Sequence, residues 1–595
     1  MRLNPSNHDE RTRDIYEQLP HYPKPPMVPL PDWETMVSLQ GLGVKPGAFS
    51  RAMGKTLMAL TGFKRFYNQL PEHLEDWLRK TNMRGAGLFA LINSASMALT
   101  DDPRDLTPAQ RAATLIYGTY RFYDDLMSGT LEADKYKDQV LEMGQYPNLF
   151  STCLTIEGKK ARLFKSKRTD QITVIIRGRY FLLNVGHPGK TTTVADLSNA
   201  LQKLIDLVHS EQSSANELSP GLLTGIAHPV QLRMFGKLLQ NPENRDSFYK
   251  IRHSFVTVCL DLDDAPQTYA EAAKTTQSKN FYNRWYHASL QIVVFGNARA
   301  ATFLNFNTYI DGNPMMRGSA AIQRRAAAAP LEGEASKGEV GQAQELKWHV
   351  PPAMIERAKQ VAKTVLDDQQ ATFELPGTGT SFYTAHQLSA VPAFMTVIDA
   401  AVKELIGRHV NITQYLSMSK YCCMNLTNAN ATTPEVKKFV DYIAQKNFDR
   451  QTARELLQKA IASQAEAYRA ARRYLPPSKI VSMFVSGRKG LAKVWVTSVL
   501  ALAMILLKLV GLYESEEMEV VASHPRIEPE IPVVGRPGIR LPYVRYFGFH
   551  YQILHDKTVL TFMPSPKWQI SNQKLAKTIE EKMNILKSIF EEQRP

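Results

Sequence analysis

Residues 283–312 read NRWYHASLQIVVFGNARAATFLNFNTYIDG, and the order of residue types in this stretch decides the fold class. LQIVVFG (290–296) combines β-branched and aromatic residues over strand length. A Gly-Asn turn follows at 296–297, and then a second apolar run, ATFLNF (301–306). Upstream, TVIIRGRYFLLN (173–184) has the same strand-like composition. From Asp32 to Leu141 the apolar spacing is instead mostly helical, as around Trp77 and through Pro108–Asp125. The prolines of LPHYPKPPMVPL (19–30) exclude helix and central strand, so this segment is expected to run extended over the surface.

Downstream, 317–346 holds RRAAAAP and EGEASKGEVGQ without a sustained apolar period and reads as a long surface loop between two halves. Amphipathic helices are expected at 353–368 and 392–407, paired strands at 543–563 and a polar helix at 572–592. The expected organisation is an extended arm (1–31), a first lobe (32–316), a flexible linker (317–346) and a second lobe (347–595). Strands and helices alternate in both halves, which makes the chain an α/β protein.

At 595 residues the chain exceeds the size at which a single hydrophobic core stops growing. A peptide hormone or a lone small module is excluded. The four cysteines, Cys153, Cys259, Cys422 and Cys423, lack paired C-x-x-C spacing, and the adjacent pair is awkward for a disulfide. A reducing compartment fits them, and no metal ligation is expected. The net charge of +15 suits RNA, an anionic membrane or the mitochondrial matrix, and does not choose among them. The first residues show no apolar signal core and carry Asp9 and Glu10, so no targeting segment is visible.

Several ordered blocks carry a resemblance: QYPNLFSTCLTIEG (145–158), RGRYF (177–181), PGLLTG (220–225), NRD (244–246), VCLDLDD (258–264), the 283–312 stretch, ELKWHVPP (345–352), LSAVPAF (388–394) and FGFHY (547–551). With the proline arm, they make the chain resemble the carnitine/choline acyltransferase family over roughly residues 19 to 590. The resemblance implies a two-lobed CoA-dependent acyltransferase fold, its lobes like chloramphenicol acetyltransferase, with a tunnel between them. It also implies a catalytic histidine in an H-x-x-x-D-G motif, which takes the acceptor hydroxyl's proton as the acyl-CoA thioester is attacked. Here the motif reads Asn307-Thr308-Tyr309-Ile310-Asp311-Gly312. An amide can hydrogen-bond a hydroxyl but cannot accept its proton, and positioned acid–base catalysis is worth ~10²–10⁴-fold.

Other blocks implied by the resemblance also depart. The lysines that would meet CoA phosphates are replaced by Thr384, Ala385, His386 and Gln387 after Tyr383. The Y-E-S-A-S-T-R-R-F block is Tyr415-Leu416-Ser417-Met418-Ser419-Lys420-Tyr421-Cys422-Cys423, and the G-R-T-E/D block is replaced around Leu426-Thr427-Asn428-Ala429. Where an S-T-S-Q block is expected before FGFHY, EIPVVGRPGIRLP (530–542) stands. Binding of CoA or acyl-CoA is therefore not expected. Another histidine serving as base, with His287, His386 and His550 the candidates, is the competing reading.

Residues Val494 to Tyr513 are almost wholly apolar, preceded by Arg488, Lys489 and Lys493 and followed by Glu514, Glu516 and Glu517. A helix of ~20 residues is ~30 Å long, one hydrocarbon core, so this segment is either a membrane-associated helix or a buried helix of the second lobe. Lys159, Lys160, Arg162, Lys165, Lys167, Arg168, Arg177 and Arg179 form a basic cluster that could meet RNA or phospholipid, or face solvent. Three functions follow. The leading one is a non-catalytic structural subunit of a larger assembly, mitochondrial, in its most specific form an inner-membrane respiratory complex with protein subunits and lipid as partners. The others are a divergent carnitine/choline-type O-acyltransferase, and a subunit of a mitochondrial ribosome or RNA-processing particle, for which nucleic acid is the less favoured partner.

Overall fold

The computed structural model describes residues 15–39, 42–45, 47–83, 90–157, 160–211, 218–226, 228–332, 340–367, 370–513, 518–535, 538–539, 545–565 and 567–591. Residues 1–14 of the arm, 333–339 of the expected linker, Lys159, and the acidic flank Glu514, Glu516 and Glu517 lie outside them. So do 536–537 and 540–542 of the block before FGFHY, position 368 of the expected helix 353–368, 543–544 of the expected paired strands and position 592 of the last helix.

Leu290–Phe295 and Ala300–Asn305 pair antiparallel, Ala300 opposite Val294 and Leu304 opposite Leu290. All twelve of their residues are buried, which is why apolar side chains sit at successive positions and do not alternate with polar ones. They are the centre of an eight-stranded mixed sheet. On one side lie Thr257–Asp261, Gln171–Ile176, Arg179–Asn184 and Gln344–Leu346; on the other, Ser94–Ala98 and Val533–Gly535. The 173–184 run is a hairpin, turned at Arg177 and Gly178 with φ of 49° and 76°. Two successive positive φ values give the turn that matches strand twist.

The second sheet has six strands, in the order Ala371–Pro376, Lys557–Pro564, Arg545–Ile553, Met518–Ser523, Ile412–Ser417 and Leu426–Asn430. Its three central strands run parallel, and Ala390–Ile406 and Asn572–Ser588 pack with it in a separate core. The expected helices at 353–368 and 392–407 are Pro352–Val365 and Ala390–Ile406, with Leu366–Asp367 a two-residue strand. The molecule is thus two α/β lobes.

The loop expected over 317–346 is a correction. Residues 317–327 belong to the helix Gly312–Ala327, and Gln344–Leu346 is an edge strand. Alanine is the best helix former, and beyond Met315, Met316 and Ile322 the buried residues here are mainly Gly318, Ser319, Ala320, Ala321 and Ala326, too small to register as an apolar period. Such small residues let this helix lie close to Pro108–Ser128; a Cβ at Gly118 would come within 2.5 Å of the Ile322 carbonyl oxygen. The apolar segment forms the helix Gly490–Leu509, and Val496, Ala503 and Leu507 seat it on the first lobe's core, against Ala48–Leu60 and Pro477–Gly487.

Candidate functional site

The Ala300–Asn305 strand ends in a single turn, Phe306–Thr308, that its last residue organises. Asn305 Oδ1 accepts from the Asn307 backbone N–H at 2.9 Å, its amide donates to the Tyr286 carbonyl, and its own carbonyl accepts from Thr308 Oγ1. Tyr309 is left-handed, with φ of 60°, and its carbonyl accepts from Asn148 Nδ2. This reversal delivers Asp311 to the N-cap of Gly312–Ala327, where its carboxylate accepts from the Gly312 N–H at 2.6 Å. Asn307 and Asp311 are both buried.

Asn307 Oδ1 accepts from Asn93 Nδ2 at 2.7 Å, and the Asn93 carbonyl takes the Phe306 N–H, so residues 93 and 306–307 are doubly joined. The amide at 307 has no basic lone pair under any pH the fold survives. Burial pushes the Asp311 carboxyl up to about 6, offset by the Gly312 N–H and the Lys479 cation. Asp311 is committed to capping, which orients it along the helix axis.

The turn also meets the second lobe. Gln145 accepts the Asp311 N–H at 2.7 Å through Oε1 and donates to Asn425 Oδ1 at 3.1 Å through Nε2. Asn313 donates to Ser417 and Ser419 at 3.3 Å, and those hydroxyls are 2.9 Å apart. The motif, the 145–148 segment and the 417–425 segment, all singled out in the sequence, therefore converge at the lobe junction. Asn93 and Gln145 are joined to the motif across large sequence separations; Gln145 lies in the 145–158 block, whereas Asn93 is a lone polar residue with no local pattern to mark it.

Each of the three candidate histidines sits in its own packing. His287 is enclosed by Phe235, Phe248 and Trp285, and burial drops its ring to about 3. His386 lies between Phe382 and Phe590 in the second lobe. His550 sits inside the strand Arg545–Ile553, opposite Thr561 and Ser523. A fourth, His524, was not marked by the sequence reading; it follows the strand Met518–Ser523, one strand away from Leu416, against the Tyr551 ring. Its surroundings lower it to about 4. Of the expected CoA-facing stretch, Thr384, Ala385 and Gln387 are exposed and Tyr383 is buried. In the basic cluster, Arg168, Arg177 and Arg179 are held in ion pairs with Asp170, Asp263, and Glu211 with Glu345, respectively.

The Choline/Carnitine o-acyltransferase family profile matches residues 49–473. Carnitine O-acetyltransferase of Rattus norvegicus is 27% identical over 299 residues, 47% of this chain and 46% of the relative. Choline O-acetyltransferase of Sus scrofa is 23% identical over 355 residues, 56% and 55% of the two chains. The mitochondrial carnitine O-acetyltransferase of Saccharomyces cerevisiae is 25% identical over 219 residues, 36% and 32%. The chain thus spans between 32% and 55% of these relatives' length. Among solved structures, the wax ester synthase/diacylglycerol acyltransferase from Marinobacter aquaeolei VT8 aligns with a TM-score of 0.33 at 10% identity, over 83% of this chain and 94% of that one. The first condensation domain of the calcium-dependent antibiotic synthetase gives 0.36 at 9% identity, over 84% and 92%. With the profile match running through both lobes and across the 307–312 turn, this chain belongs to the choline/carnitine O-acyltransferase family.

Proposed function

We propose that the chain is a non-catalytic member of its family, kept as a structural subunit of a larger assembly at a mitochondrial membrane. The observation that carries this is Asn307, an amide tied to Asn93 where the motif calls for a base. The exposed, lysine-free Thr384–Gln387 surface agrees with it, since phosphates need compact positive charge. Mitochondrial residence draws on the name of the yeast relative and on the +15 charge; the inner membrane is the more specific form of the same proposal.

The membrane half rests on Gly490–Leu509, the one helix among the described residues long and apolar enough to cross a bilayer, with a mean hydropathy of 2.0. Val496, Ala503 and Leu507 lie on one face and seat it along its length, while Leu491 and Leu509 are 88% and 77% exposed and Trp495 and Leu502 point outward with them. A helix seated this way lies in the plane of the interface, as amphipathic anchors do. Exposed Phe49 and Leu60 border it on Ala48–Leu60, and Lys489, Lys493 and Lys508 ring it with charge suited to anionic headgroups.

The test is thiol release from short-, medium- and long-chain acyl-CoA with carnitine or choline, alongside native purification. No turnover above buffer, with Asn307→Ala indistinguishable from wild type, and co-purification with a stable partner are expected. Turnover abolished by replacing His287, His386, His550 or His524 would make the chain a divergent O-acyltransferase. A free monomer would remove the subunit role.

The second reading, an active O-acyltransferase with a displaced base, is favoured by His524 alone, because it stands at the end of the strand next to Tyr415–Ser417.

A further inference from the structure

Cys422 and Cys423 are neighbours in sequence, and in an extended chain their side chains would point to opposite faces. The fold prevents this. Cys423 takes a left-handed conformation with φ of 59°, a strained choice for a residue with a Cβ. Its N–H donates to Glu142 Oε2 at 2.8 Å, and the Cys422 N–H donates to the Pro26 carbonyl at 3.0 Å. The result is two buried thiols on the same side with their sulfurs 3.5 Å apart. In tetrahedral zinc coordination, with Zn–S near ~2.3 Å, two thiolate sulfurs lie ~3.7 Å apart. The pair is already at the spacing a metal requires.

A third donor faces them from another element. A Glu75 carboxylate oxygen, on the helix Phe63–Met83, lies with both sulfurs inside a group whose ligand atoms are all within 4.8 Å of one another. Lys24, at 2.6 Å, and Arg79 pair with one Glu75 carboxylate oxygen, and a carboxylate has lone pairs beyond those two bonds. Two thiolates and one carboxylate against a divalent cation leave a net charge of about −1. Arg79, Lys24 and Lys479 stand around the site to balance it, Lys479 being close enough to interact with Cys423.

We propose that Cys422, Cys423 and Glu75 form a Cys2Glu site for a thiophilic divalent cation of the zinc class, pinning the second lobe's 418–425 loop to the first lobe's Phe63–Met83 helix. Three protein donors leave a fourth position for water. On binding, the two thiols give up their protons to solvent and no electrons move. The motif turn at Asn307 takes no part, so the site stands or falls independently of whether the chain catalyses acyl transfer.

The test uses the untagged full chain, reduced and stripped of metal, titrated anaerobically with Co2+ alone. One equivalent should give thiolate-to-cobalt charge-transfer absorption, and Zn2+ should displace it and raise Tm. Cys422→Ser/Cys423→Ser should abolish the band, and Cys153→Ser should leave it intact. Outer-sphere partners of metal sites are worth ~10–100-fold in affinity, so Glu75→Gln, which removes a direct donor, should weaken binding at least ~10-fold. Because serines at two buried positions can unfold the chain, Glu75→Gln tests the site independently, with circular dichroism showing that its fold is kept. Wild type without the band, a band surviving the double serine variant, or unchanged affinity in Glu75→Gln would overturn the proposal. So would an as-purified mass two hydrogens short that chelators leave unchanged, since the pair would then be a disulfide.

Discussion

At the scale of single residues, Asn307 and Asp311 have opposite fates in one turn. Asn307 is neutral at every pH, whereas Asp311 is a carboxyl taken out of water with one N–H and a nearby cation to hold its charge. Its pKa rises from the usual 3.8 to about 6, so between these values the folded state binds more protons than the unfolded one. The sign follows: the contribution to stability is full below the unfolded pKa and is lost as pH rises through about 6. A gap of this size corresponds to at most ~3 kcal/mol. Asparagine caps helices as well as aspartate does and carries no charge to bury. Asp311→Asn should therefore stabilise the chain by ~1–3 kcal/mol at pH 7 and by little near pH 4, read as the difference between variant and wild-type urea curves at the two pH values. Equal gains at both would show that Asp311 is not destabilised by burial. His287, whose ring is also shifted, cancels in that difference because it is present in both proteins.

Among secondary elements, legibility followed the size of the buried side chains. The strands at 290–295 and 300–305 were readable because every residue in them is buried and large apolar side chains such as Ile292, Val293, Val294, Phe295, Phe303 and Leu304 dominate them. The helix at 312–327 was not, because past Met315 and Met316 its buried residues are mostly glycine, serine and alanine, which look alike in a helix and a loop. The candidate turn and the 145–158 block that holds Gln145 and Asn148 were legible as motifs, but the bonds those two residues and Asn93 make to the turn exist only once the chain is folded. The apolar helix was visible as an element, while its two faces were not, since Leu502 and Leu507 are the same residue type on opposite sides. That pair separates packing from docking. Leu507→Ala should cost ~2–5 kcal/mol of unfolding free energy, the usual cost of emptying a filled site. Leu502→Glu should leave the urea midpoint within ~0.5 kcal/mol of wild type yet abolish flotation with anionic phospholipid vesicles. Undiminished flotation in Leu502→Glu would rule out lipid contact through this face.

At the scale of the whole molecule, short polar bridges join the segments around the motif alongside a shared apolar core, and Glu142 gathers several of them. Its carboxylate accepts from the Tyr16 hydroxyl at 2.9 Å, the Gly144 N–H at 2.7 Å and the Cys423 N–H at 2.8 Å, and its own N–H donates to the Ser419 carbonyl. One side chain thus ties the N-terminal segment, the first lobe and the second lobe's loop. Burial raises its pKa, and the three donors oppose that shift. Removing the carboxylate leaves several buried donors unpaired at ~1–3 kcal/mol each, so Glu142→Ala should lose ~3 kcal/mol or more. Glu142→Gln retains one acceptor oxygen but places an amide against donors, and it should fall between wild type and alanine. Because the bonds to Tyr16 and Cys423 cross between segments, limited trypsin digestion of the folded alanine variant should open first near Tyr16 and in the 418–425 loop. Cleavage that begins elsewhere, with those two regions still protected, would mean that the apolar contacts alone hold the lobes together and that this polar hub is dispensable.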